Sequence, residues 1–114
     1  MVETIYTHCL AKAGATEGFP FGDDVLVMKV GGKIFALMNL EARPVRVNLK
    51  CDPLRAIDLR ERYEGVMPGW HMNKKHWNTV DAEADVPRPD LLEMIDHSYD
   101  LVRQSLPKAV REAL

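Results

Sequence analysis

Apolar positions along this chain change period several times, and the changes mark the expected elements. Val2, Ile5, Cys9 and Ala13 recur at three- and four-residue intervals, which predicts an amphipathic helix over residues 2–13 with Gly14 as its stop. A turn-rich link over 16–22 carries Phe19 and Phe21. Burying a phenylalanine contributes about 2 kcal/mol, so at least one of the pair is expected to plug an end of the core. Two β-branched runs follow, over 24–30 and 33–38, separated by Gly31-Gly32. That pattern predicts a tight hairpin, because glycine readily takes the positive φ such a turn demands.

After a turn at 41–44, Val45, Val47 and Leu49 alternate with Arg46, Asn48 and Lys50, as a strand with one polar face would. Asp52-Pro53 has the form of a helix cap followed by a first-turn proline. The helix is expected to reach about Tyr63 and to bury Leu54, Ala56, Ile57 and Leu59, leaving Arg55, Asp58, Arg60, Glu61 and Arg62 in water. Pro68-Gly69 marks a turn, Asn73-Lys74-Lys75 a loop or hairpin tip, and 76–80 a returning strand. On that strand Trp77 and Thr79 should share one face, with Trp77 mostly buried, and His76, Asn78 and Val80 the other. Residues 81–85 form an acidic turn. A last long helix from about Pro89 aligns Leu92, Ile95, Tyr99, Val102 and Leu106, and Pro107 opens a short final one. Tyr99 is expected in the core with its hydroxyl at the edge, and His97 at the surface. The predicted order is α-β-β-β-α-β-α-α, with room for one more short strand near Trp70. This is an α+β sandwich: an antiparallel sheet with helices packed on one face.

Length and composition narrow this picture. At 114 residues the chain fits one domain, 1–114, large enough for an ordinary core. No apolar run approaches the roughly 20 residues of a membrane span, and the N-terminus has no cationic-then-apolar leader pattern. A cytoplasmic monomer with no membrane contact is expected. Cys9 and Cys51 form no CxxC and are expected to be structural thiols. The net charge of −2 leaves nucleic-acid binding to a local basic patch rather than to the whole surface.

Candidate chemistry is concentrated in 68–79, which holds both tryptophans, two of the four histidines, two lysines and two asparagines. Trp70, taken as partly exposed, with His71, Asn73, Lys74, Lys75, His76 and Asn78, can donate, stack or neutralise an anion. Arg46 and Lys50 extend the basic set, as do Lys29 and Lys33 beside the hairpin turn. The sharpest candidates are His71, Asn73, Lys74, Lys75 and His76. One reading is a nucleic-acid-binding module that enters a groove with a basic hairpin. A second is a non-enzymatic site for a small anionic ligand, or a protein partner, near Trp70 and Trp77. No HExxH, nucleophile–base order or paired carboxylates support catalysis, and no cofactor or metal is expected. Cys51 sits near a helix start that can lower a thiol pKa, yet a structural role is the expectation.

Several segments together resemble the MmcQ/YjbR family. They are Pro20-Phe21-Gly22, the hairpin over 27–36, Val47-Asn48-Leu49-Lys50-Cys51-Asp52-Pro53, the run from Pro68 to Val80 and Ile95-Asp96-His97-Ser98-Tyr99. The likeness runs from about Gly18 to Val102. Trp70 replaces the tyrosine more usual in the family, keeping a ring and losing a hydroxyl. The resemblance implies a fold like the bacterial frataxin homologue. It also implies a DNA-binding description based on a "double-wing" arrangement of hairpins.

Overall fold

A computed structural model describes every residue except His71. The elements are α1 (Val2–Leu10), β1 (Ala15–Gly18), β2 (Val25–Val30), β3 (Lys33–Asn39), β4 (Arg46–Lys50), α2 (Pro53–Arg62), β5 (Val66–Pro68), β6 (Trp77–Asp81), α3 (Arg88–Gln104) and α4 (Lys108–Glu112). The strands form one six-stranded sheet in the order β1-β2-β3-β4-β6-β5, antiparallel throughout. The α+β expectation holds, with two strands beyond the four predicted: β5, close to where the sequence leaves room for one near Trp70, and β1, which was not expected. Both extra strands, β1 and β5, are short and lie at the sheet edges. An edge strand is held by backbone bonds on one side only and needs little apolar alternation, so its residues read as loop. Pro68 ends β5, as suits a residue with no N–H to give to a ladder.

The β2–β3 turn is the one expected. Gly31 and Gly32 take φ of +56° and +80°. A Cβ on Gly31 would come within 2.6 Å of Leu106, so this turn also needs glycine for close packing. Beyond the turn the register slips: Met28 faces Ala36 while Lys29 faces Ile34, leaving Phe35 as an extra residue. This bulge sends Phe35 into the core, where its ring meets Tyr99 edge-to-face at 5.4 Å.

Helix α3 crosses β2, β3 and β4 and supplies Leu91, Met94, Ile95, Tyr99 and Val102 to the core. Leu92 is only half-buried, because the inward stripe runs through Leu91 and Ile95. Ser98 lies among these apolar groups with both roles of its hydroxyl used. It accepts from Lys50 N at 2.8 Å and donates to Phe35 O at 2.5 Å, stitching α3 to β4 and β3. The Tyr99 hydroxyl donates to Ala13 O.

Three expectations about side chains fail. Helix α2 buries only Ala56 and Leu59; Leu54 and Ile57 are exposed. It rests on the narrow edge strand β5, which covers a single strip of the helix. Phe19 and Phe21 are both exposed, and neither plugs the core. His97 is half-buried rather than at the surface, and its Nε2 accepts from Asp52 N at 3.2 Å. Among the described residues, no helix is long and apolar enough to cross a membrane.

Candidate functional site: a groove on the open sheet face

The helices cover one face of the sheet. Side chains alternate along each strand, so the residues between the core positions point to the opposite face. One row on that face runs Val27, Leu37, Asn48, Thr79 and Met67 across neighbouring strands. The row beside it includes Val25 and Asn39, then Arg46 and Asp81. At Gly69 the chain turns back over this face. A Cβ there would lie 2.8 Å from Trp77 Cβ, so only glycine allows so close an approach. Trp70 N then donates to Thr79 Oγ1 at 3.0 Å, and the Thr79 hydroxyl donates to Asn48 Oδ1 at 2.6 Å. This short relay fixes the backbone of Trp70 above the sheet.

The result is a groove of about 610 Å³. Val25, Ile34 and Leu37 supply aliphatic lining, joined by Phe21, Ala42, Trp70 and Met72. Arg46, Asn39, Asn48 and Thr79 complete the lining. The Arg46 guanidinium lies 5.2 Å from the centre of the Trp70 ring, in cation–π range. Arg46 Nε is buried with no partner among the described residues. Asn39 Oδ1 accepts from Glu41 N at 2.9 Å, which commits its oxygen and leaves its amide N–H groups over. Asn48 Oδ1 is likewise committed to Thr79. The spare polar capacity of the lining is therefore weighted toward donors. No carboxylate lines the groove among the described residues.

Of the residues singled out from the sequence, the structure brings Trp70 and Arg46 together here. His71 lies outside the described residues. Lys50 is on the same sheet face, opposite Trp77, but not in the lining. Trp77 is only half-buried and shares the open face with Thr79, which corrects the expectation that it fills the core. The core-facing neighbour is Asn78, 2% exposed. Its Oδ1 accepts from Arg60 Nε at 2.7 Å and its Nδ2 donates to Ala56 O, so Asn78 cannot contact a ligand. Asn73 is also internally occupied: its Oδ1 accepts from Lys75 N and its carbonyl from His76 N. Lys74 Nζ donates to Gly69 O at 3.1 Å, while the Lys75 side chain is exposed. His76 is half-buried, and its carbonyl accepts from Cys51 N.

Sequence reasoning missed two features. Arg60, expected in water, reaches under the 69–76 loop and donates to the carbonyls of Lys74 and Trp77 as well as to Asn78. The apolar floor was also missed: Val25, Ile34 and Leu37 were given no face, because β2 and β3 are apolar on both faces. That double-sided apolarity was itself the signal that the second face is not simply solvated. Burial pushes the Cys51 thiol up to about 11, outweighing the Arg55 cation, and pushes Cys9 to about 12. The helix start at Asp52 does not make Cys51 a nucleophile.

Six antiparallel strands, with helices on one face and a groove on the other, define a single-sheet α+β protein. The YjbR family model matches residues 10–101, and the chain belongs to that family. It is 32% identical over 114 residues to the uncharacterized protein YjbR of Escherichia coli strain K12, covering 99% of this chain and 96% of that one. It is 41% identical over 91 residues to the uncharacterized protein YbdF, also from Escherichia coli, covering 79% and 74%. A crystallised Deinococcus radiodurans protein with a DUF419 domain superposes with a TM-score of 0.94 at 37% identity, covering 99% of this chain and 86% of that one.

Proposed function

We propose that this protein is a non-enzymatic binding module that holds a small anionic ligand in the groove of the open sheet face. The observation that carries this reading is the donor excess of the groove: Arg46, Asn39 and Asn48 offer N–H groups, both amide oxygens already accept a hydrogen bond, and no carboxylate lines the groove among the described residues. A ligand rich in acceptors suits such a lining, and a cationic or donor-rich one does not. The raised thiols of Cys9 and Cys51 make neither cysteine a ready nucleophile.

A second reading, DNA binding in a double-wing arrangement, draws support from Lys74 and Lys75, which are exposed on the 69–76 loop. Against it, β5 is three residues long and the loop folds onto the sheet instead of projecting as a two-stranded ribbon.

The test compares both ligands on one sample. Titration with sodium benzoate, followed by amide NMR shifts, should perturb Arg46, Asn48 and Asn39 in a saturable way. Duplex DNA followed by fluorescence anisotropy should give no binding that the Lys74→Ala/Lys75→Ala variant abolishes. No anion response in the groove, together with salt-dependent DNA binding that this double variant removes, would replace the first reading by the second.

A further inference from the structure

We infer that the ligand is an amphipathic monoanion, a carboxylate joined to an apolar body, lying across the strands with its acid on Arg46. This rests on the anion-site reading above and adds the tail and the single charge. Three observations lead to it.

The first is charge. Arg46 is the single charged side chain lining the groove among the described residues. Lys74, a cation on the 69–76 loop, does not line the groove and gives one N–H to Gly69 O. One fixed positive charge matches a carboxylate, whereas a phosphate monoester carries about −1.5 to −2 at neutral pH. A planar guanidinium packed on an indole keeps its edge N–H groups in a fork, the geometry that grips a carboxylate by two parallel bonds.

The second is the shape of the apolar part. Val25 faces Asn39 and Val47 faces Met38, so Arg46, Asn39 and Val25 follow one another across β4, β3 and β2. Two strand spacings separate Arg46 from Val25, roughly 10 Å. A ligand whose acid sits at Arg46 therefore lays about 10 Å of body across Asn39 to Val25, with Leu37 beside it in the next row. Inorganic anions would leave that floor uncovered.

The third is the exposed aromatic rim. Phe21 and Trp70 are 62% and 59% exposed, and both line the groove. Large rings left in water along one apolar trough gain contact area when an apolar body is placed against them. The Arg46–Trp70 pair joins the charged end to this rim.

The experiment uses the full chain and follows amide NMR shifts together with tryptophan fluorescence. Octanoate should bind saturably, shifting Arg46, Asn39, Leu37 and Val25. Octanol, which keeps the tail and lacks the charge, should bind at least about tenfold more weakly, as loss of a charge-assisted hydrogen bond implies. Arg46→Met should weaken octanoate by a similar factor while leaving octanol unchanged. Trp70→Leu, at an exposed position, gives a second variant if Arg46→Met perturbs the fold, and it too should weaken octanoate. Equal binding of octanol and octanoate, or shifts confined to another surface, would overturn the inference. Benzoate or inorganic phosphate binding at Arg46 without octanoate binding would refute the tail and leave the anion site standing. If none of these anions perturbs the groove, both readings fall together.

Discussion

Arg60 offers the most demanding test of how the site is held. From helix α2 it sends Nε to Asn78 Oδ1 at 2.7 Å and Nη2 to the carbonyls of Lys74 and Trp77. Arg60→Met keeps the length of the stem and removes all three bonds. Asn78 is 2% exposed, so its oxygen would be left dry and unpaired. A hydrogen bond from a charged donor contributes about 1.5–3 kcal/mol, and stranding a buried partner costs the upper part of that range. The Trp77 contact is long at 3.4 Å and the Lys74 end is exposed, so they add little. The expected loss is about 2–3 kcal/mol, or roughly 10 °C in Tm for a domain of this size. Asn78→Leu alone should cost a similar amount, because it leaves the guanidinium facing an apolar wall. The double variant removes both partners and should cost clearly less than the sum of the two. Urea unfolding of the four proteins at pH 7 measures this cycle. Additive single effects, within about 0.5 kcal/mol, would show that the pair is not coupled and that the 69–76 loop is held by something else.

Two further outcomes follow from groups that the core makes use of. Ser98→Ala removes a buried hydroxyl that serves Lys50 N and Phe35 O, so a loss of about 2–3 kcal/mol is expected in urea unfolding; a loss under about 1 kcal/mol would mean these backbone groups find other partners. Burial first, and then the Arg55 cation, hold the His97 pKa below 6.5. The unfolded chain therefore takes up this proton before the folded one, and stability should fall as pH drops from 6.5 toward the folded value. The depressed carboxyls separate cleanly from this window. For Asp96, burial works against the shift but Lys12 and His8 prevail, and Asp85 is held low by the N–H groups of Gly65 and Glu64. Their contribution is present above 3.8 and lost only as pH falls through their lower folded values. His97→Gln should flatten the dependence of the urea midpoint between pH 6.5 and 4.5, and an unchanged slope would exclude His97 as its source.

Much of the architecture was decided locally. The Gly31-Gly32 turn, the Asp52-Pro53 cap and the alternation of Val45, Val47 and Leu49 each follow from rules that act over a few residues, and each appears as expected. The capping oxygen of Asp52 does accept from Arg55 N. The helical period of the last long segment likewise located α3. Local rules depend on φ preferences and side-chain period, which the sequence displays directly.

The binding face needed the tertiary structure. Trp77 and Asn78 are neighbours on one strand, and the sequence allowed either to face inward; hydrophobicity favoured Trp77. The register with β4 decided otherwise, setting Asn78 beside Leu49 under α2 and Trp77 beside Lys50 on the open face. Asn78 could take the inner position because Arg60, distant in sequence, satisfies its amide there. Arg46 lies on β4 and Trp70 in the turn after β5, far apart in sequence, and their contact exists because Gly69 lets the chain fold back over Thr79. Period and composition reveal which residues a strand turns to the same side. They do not reveal which side the helices cover, because that depends on long-range pairing, and the unoccupied face that remains is where the groove forms.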